Sequence, residues 1–243
     1  MRLIPYYPAP IGADLRPARY NRYVRLEEPD TLATDARRLQ IPRVTLDWRR
    51  LQRSELPVDT LTLARSLLGR LVVHDTAAGR VAGRIVETEA YLPGDPACHA
   101  ATGKTVRNAS LFRAHGHAYV YFIYGSWFML NVASETTGTG AGVLVRAVQP
   151  VAGLDLMRAW RRVAADRDMA RGPGRLAQAL AVTRAHDGLD LCADNPLWLA
   201  VGSDPVSLPG VSVRIGISRA IEQPWRFYER GNPHVSGPTR LRT

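Results

Sequence analysis

The stretch that most constrains this chain runs from Arg70 to Tyr91. Arg70 to His74 and Val81 to Thr88 read as two strands joined by a turn at Ala77 to Arg80, and the second leads directly into Glu89. Side chains alternate with a period of two along a strand. If this one continues through Tyr91, then Glu87, Glu89 and Tyr91 share a face, with Glu89 and Tyr91 about 6 to 7 Å apart. A carboxylate and a flat ring then line one pocket.

More strands follow. Ala118 to Ile123 and Phe128 to Ala133 flank the turn-prone Tyr124-Gly125-Ser126-Trp127, which places Tyr124 at an exposed hairpin tip. Gly142 to Val148 predicts a buried strand, and Val211 to Ile217 the last clear one. Asp59 is placed to cap an amphipathic helix running through Leu61, Ala64, Leu67 and Leu68 to a stop at Gly69. A second helix, Leu154 to Ala165, presents Arg158, Arg161 and Arg162 on a solvated face. Gly172-Pro173-Gly174 opens a short helix whose free N–H groups suit a phosphate. Residues 1–56 differ in texture, with Pro5, Pro8, Pro10, Pro17 and the stretch RPARYNRYVR, and read as an extended basic arm before a folded domain over 57–243.

Charge narrows the partner. The chain has 32 basic and 22 acidic residues, a net +10, which favours a polyanion such as nucleic acid. No apolar run approaches the roughly 20 residues needed to span a bilayer, so a membrane partner is not expected. Lys104 is the only lysine, so a Schiff-base nucleophile other than the terminal amine would have to be Lys104. Cys98 and Cys192 lie far apart and outside any CxxC pair, which argues against a disulfide framework or zinc ribbon. The N-terminus MRLIPYYPAP has no continuous apolar core of a secretory signal, so the expected compartment is the cytoplasm, nucleoid-associated in a prokaryote.

The segment Ala118 to Asn131, AYVYFIYGSWFMLN, supplies flat stacking surfaces and one amide. Tyr119 and Phe128 are assigned to the core, the commoner fate of strand aromatics. Tyr124, at a glycine-containing tip, suits an inserted wedge of the kind minor-groove binders use. Asn131, in the apolar run FMLNVA, either caps a backbone group or reads a base. Arg146, in VLVRAV, needs an acceptor that Glu89 is able to supply. Cys98, His99, His115 and His117 match no zinc spacing, so neither metal nor cofactor is expected. Stacking faces, basic charge and one placed acid point to chemistry on a nucleobase.

From about Leu56 to the C-terminus the chain resembles the alkyladenine, or 3-methyladenine, DNA glycosylase family of base-excision repair enzymes. The resemblance is carried by LARSLLGRLVV, RIVETEAYLPGDPACHA, VRNASLF, HAYVYFIYG, LNVASE, VLVRAVQP, GPGRLAQAL, DGLDL, RIGIS and RFY. It implies a mixed α/β (α+β) single domain on a curved, largely antiparallel sheet with surrounding helices. It also implies a monomer that flips alkylated or deaminated purines out of double-stranded DNA and hydrolyses the N-glycosidic bond. By the same resemblance, Glu89 is the general base that activates water, and Arg146 helps hold that water. Tyr91, His99 and Tyr121 sandwich the flipped base, Tyr124 fills the gap left in the helix, and Asn131 rejects the guanine amino group. With one lysine and a water-activating glutamate, the expected enzyme is monofunctional, leaving an abasic site without strand cleavage.

Overall fold

The computed structural model describes residues 48–123, 125–163, 165–202, 206 and 208–239. Asp59 accepts the Thr62 N–H at 2.8 Å and caps helix α1, Thr60–Ser66, so one orphan donor of the first turn is satisfied. Gly69, at φ 83°, ends the segment in the left-handed region that only glycine enters without strain. Strands β1 (Leu71–Thr76) and β2 (Gly79–Tyr91) then form the predicted hairpin, Leu71 pairing with Arg84 and Thr76 with Gly79.

β2 organises the sheet. Its first half pairs with β1, its second half with β8 (Arg226–Tyr228), and along its other edge it pairs with β5 (Gly142–Ala152), all antiparallel. β3 (Ala118–Ile123) and β4 (Trp127–Ala133) extend the β5 side, β6 (Leu197–Ala200) extends the β1 side, and β7 (Gly210–Ser212) pairs with β8. Register shifts against β5 fall between Ala82 and Gly83 and on both sides of Glu87. Such irregularities sharpen the twist and bend the strand, which gives the antiparallel sheet its curve.

The two faces separate core from site. Val120, Leu130, Val143, Val145 and Ala90 point to one face, where Leu63 and Leu67 of the α1 segment pack with Met157, Met169 and Leu176. These last three come from α2 (Leu154–Arg161), α3 (Asp166–Met169) and α4 (Pro173–Ala179). Truncating a fully buried leucine of this layer to alanine costs about 2 to 5 kcal/mol. The alternate residues Tyr119, Tyr121, Asn131, Leu144 and Arg146 face the other way and line a pocket. On α4, a Cβ at Gly174 would stand 2.8 Å from the Trp127 ring, so glycine is what lets this helix approach β4.

Several expectations change. Val211 to Ile217 is not one strand: β7 stops at Ser212 because Arg214 turns inward to an acid and the Ile215 N–H goes to Glu89 instead of a ladder. The helix from Leu154 ends at Arg161, with Arg162 at φ 50° as its cap. Its arginines are not simply solvated, since Arg158 bonds Asp155 and Asp166 while Arg161 bonds Gln178 and the Met169 carbonyl. Residues 48–56, placed in the arm by their texture, pack on the domain: Leu51 is fully buried, Leu56 nearly so, and Arg50 bridges to Ala200 beside β6. The earlier residues of the arm lie outside the described ones.

Candidate active site

Glu89 is fully buried at the end of β2. Its Oε1 accepts the Ile215 N–H at 2.8 Å and lies 3.3 Å from Arg146 Nη1, while Oε2 accepts the Tyr91 hydroxyl at 3.0 Å. A carboxylate offers about four acceptor positions. These contacts leave one on Oε2 for a further donor such as water.

Arg146 reaches this acid from β5 and is shared with a second one. Its Nε lies 3.3 Å from Glu87 Oε1 and donates to Ser236 Oγ at 3.1 Å. Glu87, also fully buried, accepts Arg226 Nε at 2.6 Å and the Ser236 N–H at 2.6 Å. Arg226 in turn donates to Ser212 Oγ at 2.7 Å and to the Ser236 carbonyl at 3.1 Å. Glu89, Arg146, Glu87 and Arg226 therefore form a row of alternating charge under the sheet face. Each charge removed from water has an opposite neighbour, the condition under which buried ions are tolerated.

Burial pushes the Glu89 carboxyl above the ordinary glutamate range. Arg146 and the Ile215 N–H pull the other way, and Glu87 adds to the rise. The balance makes Glu89 a stronger base than an exposed glutamate. Burial and the neighbouring Glu89 raise the Tyr91 hydroxyl, so it stays a proton donor.

Above this acid lies a pocket of about 260 Å³. That is slightly under the ~300 to 1,000 Å³ of typical small-molecule sites and suits one flat heterocycle. Tyr91, Arg146 and Ile215, which all touch Glu89, form part of its wall; Glu89 itself sits just beneath. His99 and Tyr121 meet edge to face with ring centroids 4.4 Å apart, too close to admit a base between them, so together they make one wall. Behind them the Tyr119 hydroxyl lies 2.9 Å from His99 Nδ1. Burial, and then the charge of Arg107, hold the His99 imidazole below the usual histidine range, so it is neutral at pH 7 and does not repel a cation. Asn131 lines the same pocket while its Nδ2 donates to the Tyr119 carbonyl at 3.1 Å, so it both satisfies a backbone group and faces the site.

The remaining candidates separate from this cluster. Tyr124 lies outside the described residues. His115 and His117 sit against Arg53, away from Cys98 and His99, and among the described residues no group of three or more metal-ligating side chains is assembled. Lys104 is exposed, its Nζ 5.9 Å from the Phe112 ring, and it forms no part of the pocket wall. Three residues that build the site carry no signal of their own in the sequence. Arg226 has Glu222 and Glu229 nearby in sequence but nothing that points to Glu87, Ile215 acts through its backbone, and Tyr119 looks like any strand aromatic. Glu87 is different, because it stands one strand period before Glu89 and was legible as its neighbour on the same face.

The chain is similar along most of its length to known proteins. A family model described as methylpurine-DNA glycosylase matches residues 54–233. A protein of Mesorhizobium japonicum named "Putative 3-methyladenine DNA glycosylase" is 55% identical over 191 residues, covering 79% of this chain and 92% of that protein. Proteins with the same name from Paraburkholderia phytofirmans and Chlorobaculum tepidum are 50% identical over 194 residues and 44% identical over 191, covering 79% and 77% of this chain and 90% and 91% of theirs. No helix among the described residues is long and apolar enough to cross a membrane. The matched span contains β2, β5 and the whole pocket wall, and this chain belongs to the methylpurine-DNA glycosylase family.

Proposed function

We propose that this DNA glycosylase flips alkylated or deaminated purines out of double-stranded DNA into the pocket above Glu89 and hydrolyses the N-glycosidic bond there. One observation carries the reading: a fully buried carboxylate with one acceptor position to spare lies directly under an aromatic-walled pocket the size of a single base. In the reaction, water held between Glu89 Oε2 and Arg146 attacks C1′ of the deoxyribose. Glu89 takes a proton from that water, the C1′–N bond breaks, and its electron pair leaves with the base. A 3- or 7-alkylated purine is cationic and departs neutral, so one carboxylate suffices. A neutral base such as hypoxanthine needs a proton or strong hydrogen bonds to leave.

Tyr91 forms one stacking wall, and the His99 and Tyr121 pair forms the other. Stacking is worth about 1 to 3 kcal/mol per base and tolerates base identity, while flipping costs least at damaged or mismatched pairs. Asn131 narrows the pocket against the guanine amino group. Tyr124, which follows β3 in the sequence, fills the gap in the helix. The enzyme is monofunctional, since Lys104, the only lysine, stands outside the pocket wall. It works as a monomer, and its basic surface tracks the DNA backbone. The catalytic domain begins before residue 57, because Leu51 and Leu56 belong to its core.

Duplexes carrying a single 3-methyladenine, 7-methylguanine or hypoxanthine test the reading directly. Abasic sites, revealed by alkali, are expected from at least one lesion. No product from any of them would falsify it.

A further inference from the structure

The pocket described above rests on a buried cation that contributes nothing to its wall. Arg214 is 4% exposed and forms a two-pronged ion pair with the equally buried Asp95, Nη2 donating to Oδ1 at 3.2 Å and Nη1 to Oδ2. Its guanidinium carbon stands 4.6 Å from the Tyr91 ring centroid and 4.9 Å from that of Trp225, so it lies between two aromatic faces. Tyr91 and Ile215 line the pocket and Arg214 does not. The Tyr91 face that Arg214 covers is therefore the one turned away from the base.

Three site elements converge on this side chain. Nη1 also donates to the Ala90 carbonyl at 2.9 Å, which fixes β2 between Glu89 and Tyr91. The next residue, Ile215, supplies the N–H held by Glu89. Asp95 accepts the Ala97 N–H at 2.9 Å on its side chain and the Cys98 N–H at 2.9 Å on its carbonyl, shaping the loop that delivers His99.

We propose that Arg214 is a positioning residue of the base pocket and that, from behind Tyr91, it sets how strongly this wall favours cationic over neutral bases. The inference rests on the glycosylase reading above. An aromatic ring attracts a cation through the negative potential of its faces. A guanidinium on one face draws on that potential and repels a second cation across the ring, so the opposite face loses part of its preference for charge. Tyr91 then serves as a stacking platform for neutral purines as well as for charged alkylpurines. Asp95 neutralises part of the effect, so the two residues set the bias together.

Two variants of the full chain give opposite signs. Each is assayed by single-turnover release of cationic 7-methylguanine and of neutral hypoxanthine from the same duplex context. The double substitution Arg214→Met with Asp95→Asn removes both charges without stranding either, and the ratio of cationic to neutral rates is expected to rise about three- to tenfold. Asp95→Asn alone leaves the guanidinium uncompensated, and the ratio is expected to fall. Should the double variant not fold, the sign of the single variant decides the matter. A support role alone slows both bases equally, so an unmoved ratio in the folded variants overturns the inference while leaving the glycosylase reading intact. If the unaltered protein releases neither base, the glycosylase reading fails and takes the inference with it.

Discussion

Substituting Glu87 by glutamine probes the charge row beneath the pocket. Arg226 is fully buried, and its Nε loses the Glu87 carboxylate it holds at 2.6 Å, although Ser212 Oγ and the Ser236 carbonyl still accept from its other nitrogens. Arg146 keeps Glu89, 3.3 Å away. The row then holds two arginines and one carboxylate, and breaking a buried pair from one side costs about 3 to 5 kcal/mol. For a domain of this size that is a fall in Tm of roughly 6 to 20 °C. Urea unfolding of Glu87→Gln measures the loss. Adding Arg226→Met to it restores the charge balance of the row and should recover a large part. Arg158→Ala, which deletes exposed ion pairs to Asp155 and Asp166, serves as the reference and should stay within about 1 kcal/mol of the parent. A Glu87→Gln loss no larger than that reference would refute the picture of a desolvated, interdependent row.

Other perturbations report on separate parts. Because burial raises the Glu89 carboxyl and the base must be ionised to take a proton from water, single-turnover release should fall with acid around an apparent pKa above the ordinary glutamate value; a limb at or below that value contradicts the assignment. His74 and His186 meet at 3.2 Å through their Nε2 atoms, with His74 Nδ1 on the Leu180 carbonyl at 2.7 Å, and burial and then His74 lower His186. The unfolded chain therefore binds the extra proton first, so stability should drop as pH falls below about 6.5, and His186→Asn should flatten that slope in urea titrations at pH 5 and 7. Asn131→Ala, which widens the pocket beside Tyr119, should allow measurable release of undamaged guanine, and its absence in a product assay counts against steric rejection by this amide.

The hairpin into Glu89, the pair around residue 124 and the Asp59-capped helix were legible because each rests on local rules: alternation, turn residues and a cap. Glu89, Tyr91 and Arg146 emerged the same way, from strand period and from the need of a buried arginine for an acid. Long-range geometry was not legible. Nothing near Arg226 or Arg214 in sequence names Glu87 or Asp95 as partner, and both pairs form only when the C-terminal segment folds back along β2. The break in the strand after Ser212 is the same problem, since a tertiary hydrogen bond to Glu89 overrides a good strand pattern. Leu51 and Leu56 were hidden in a proline- and arginine-rich context whose texture outweighed two core leucines.

In the proposed reaction Glu89 activates the attacking water, and Glu89→Gln isolates that role. Glutamine keeps an oxygen for the Ile215 N–H and a side chain of the same shape beside Tyr91, so a lesion-containing duplex should bind as before. Loss of a general base slows the chemical step by about 10² to 10⁴. Single-turnover release of the base, measured alongside duplex affinity, should show that loss with binding retained. Release at the parental rate with binding retained would contradict the account.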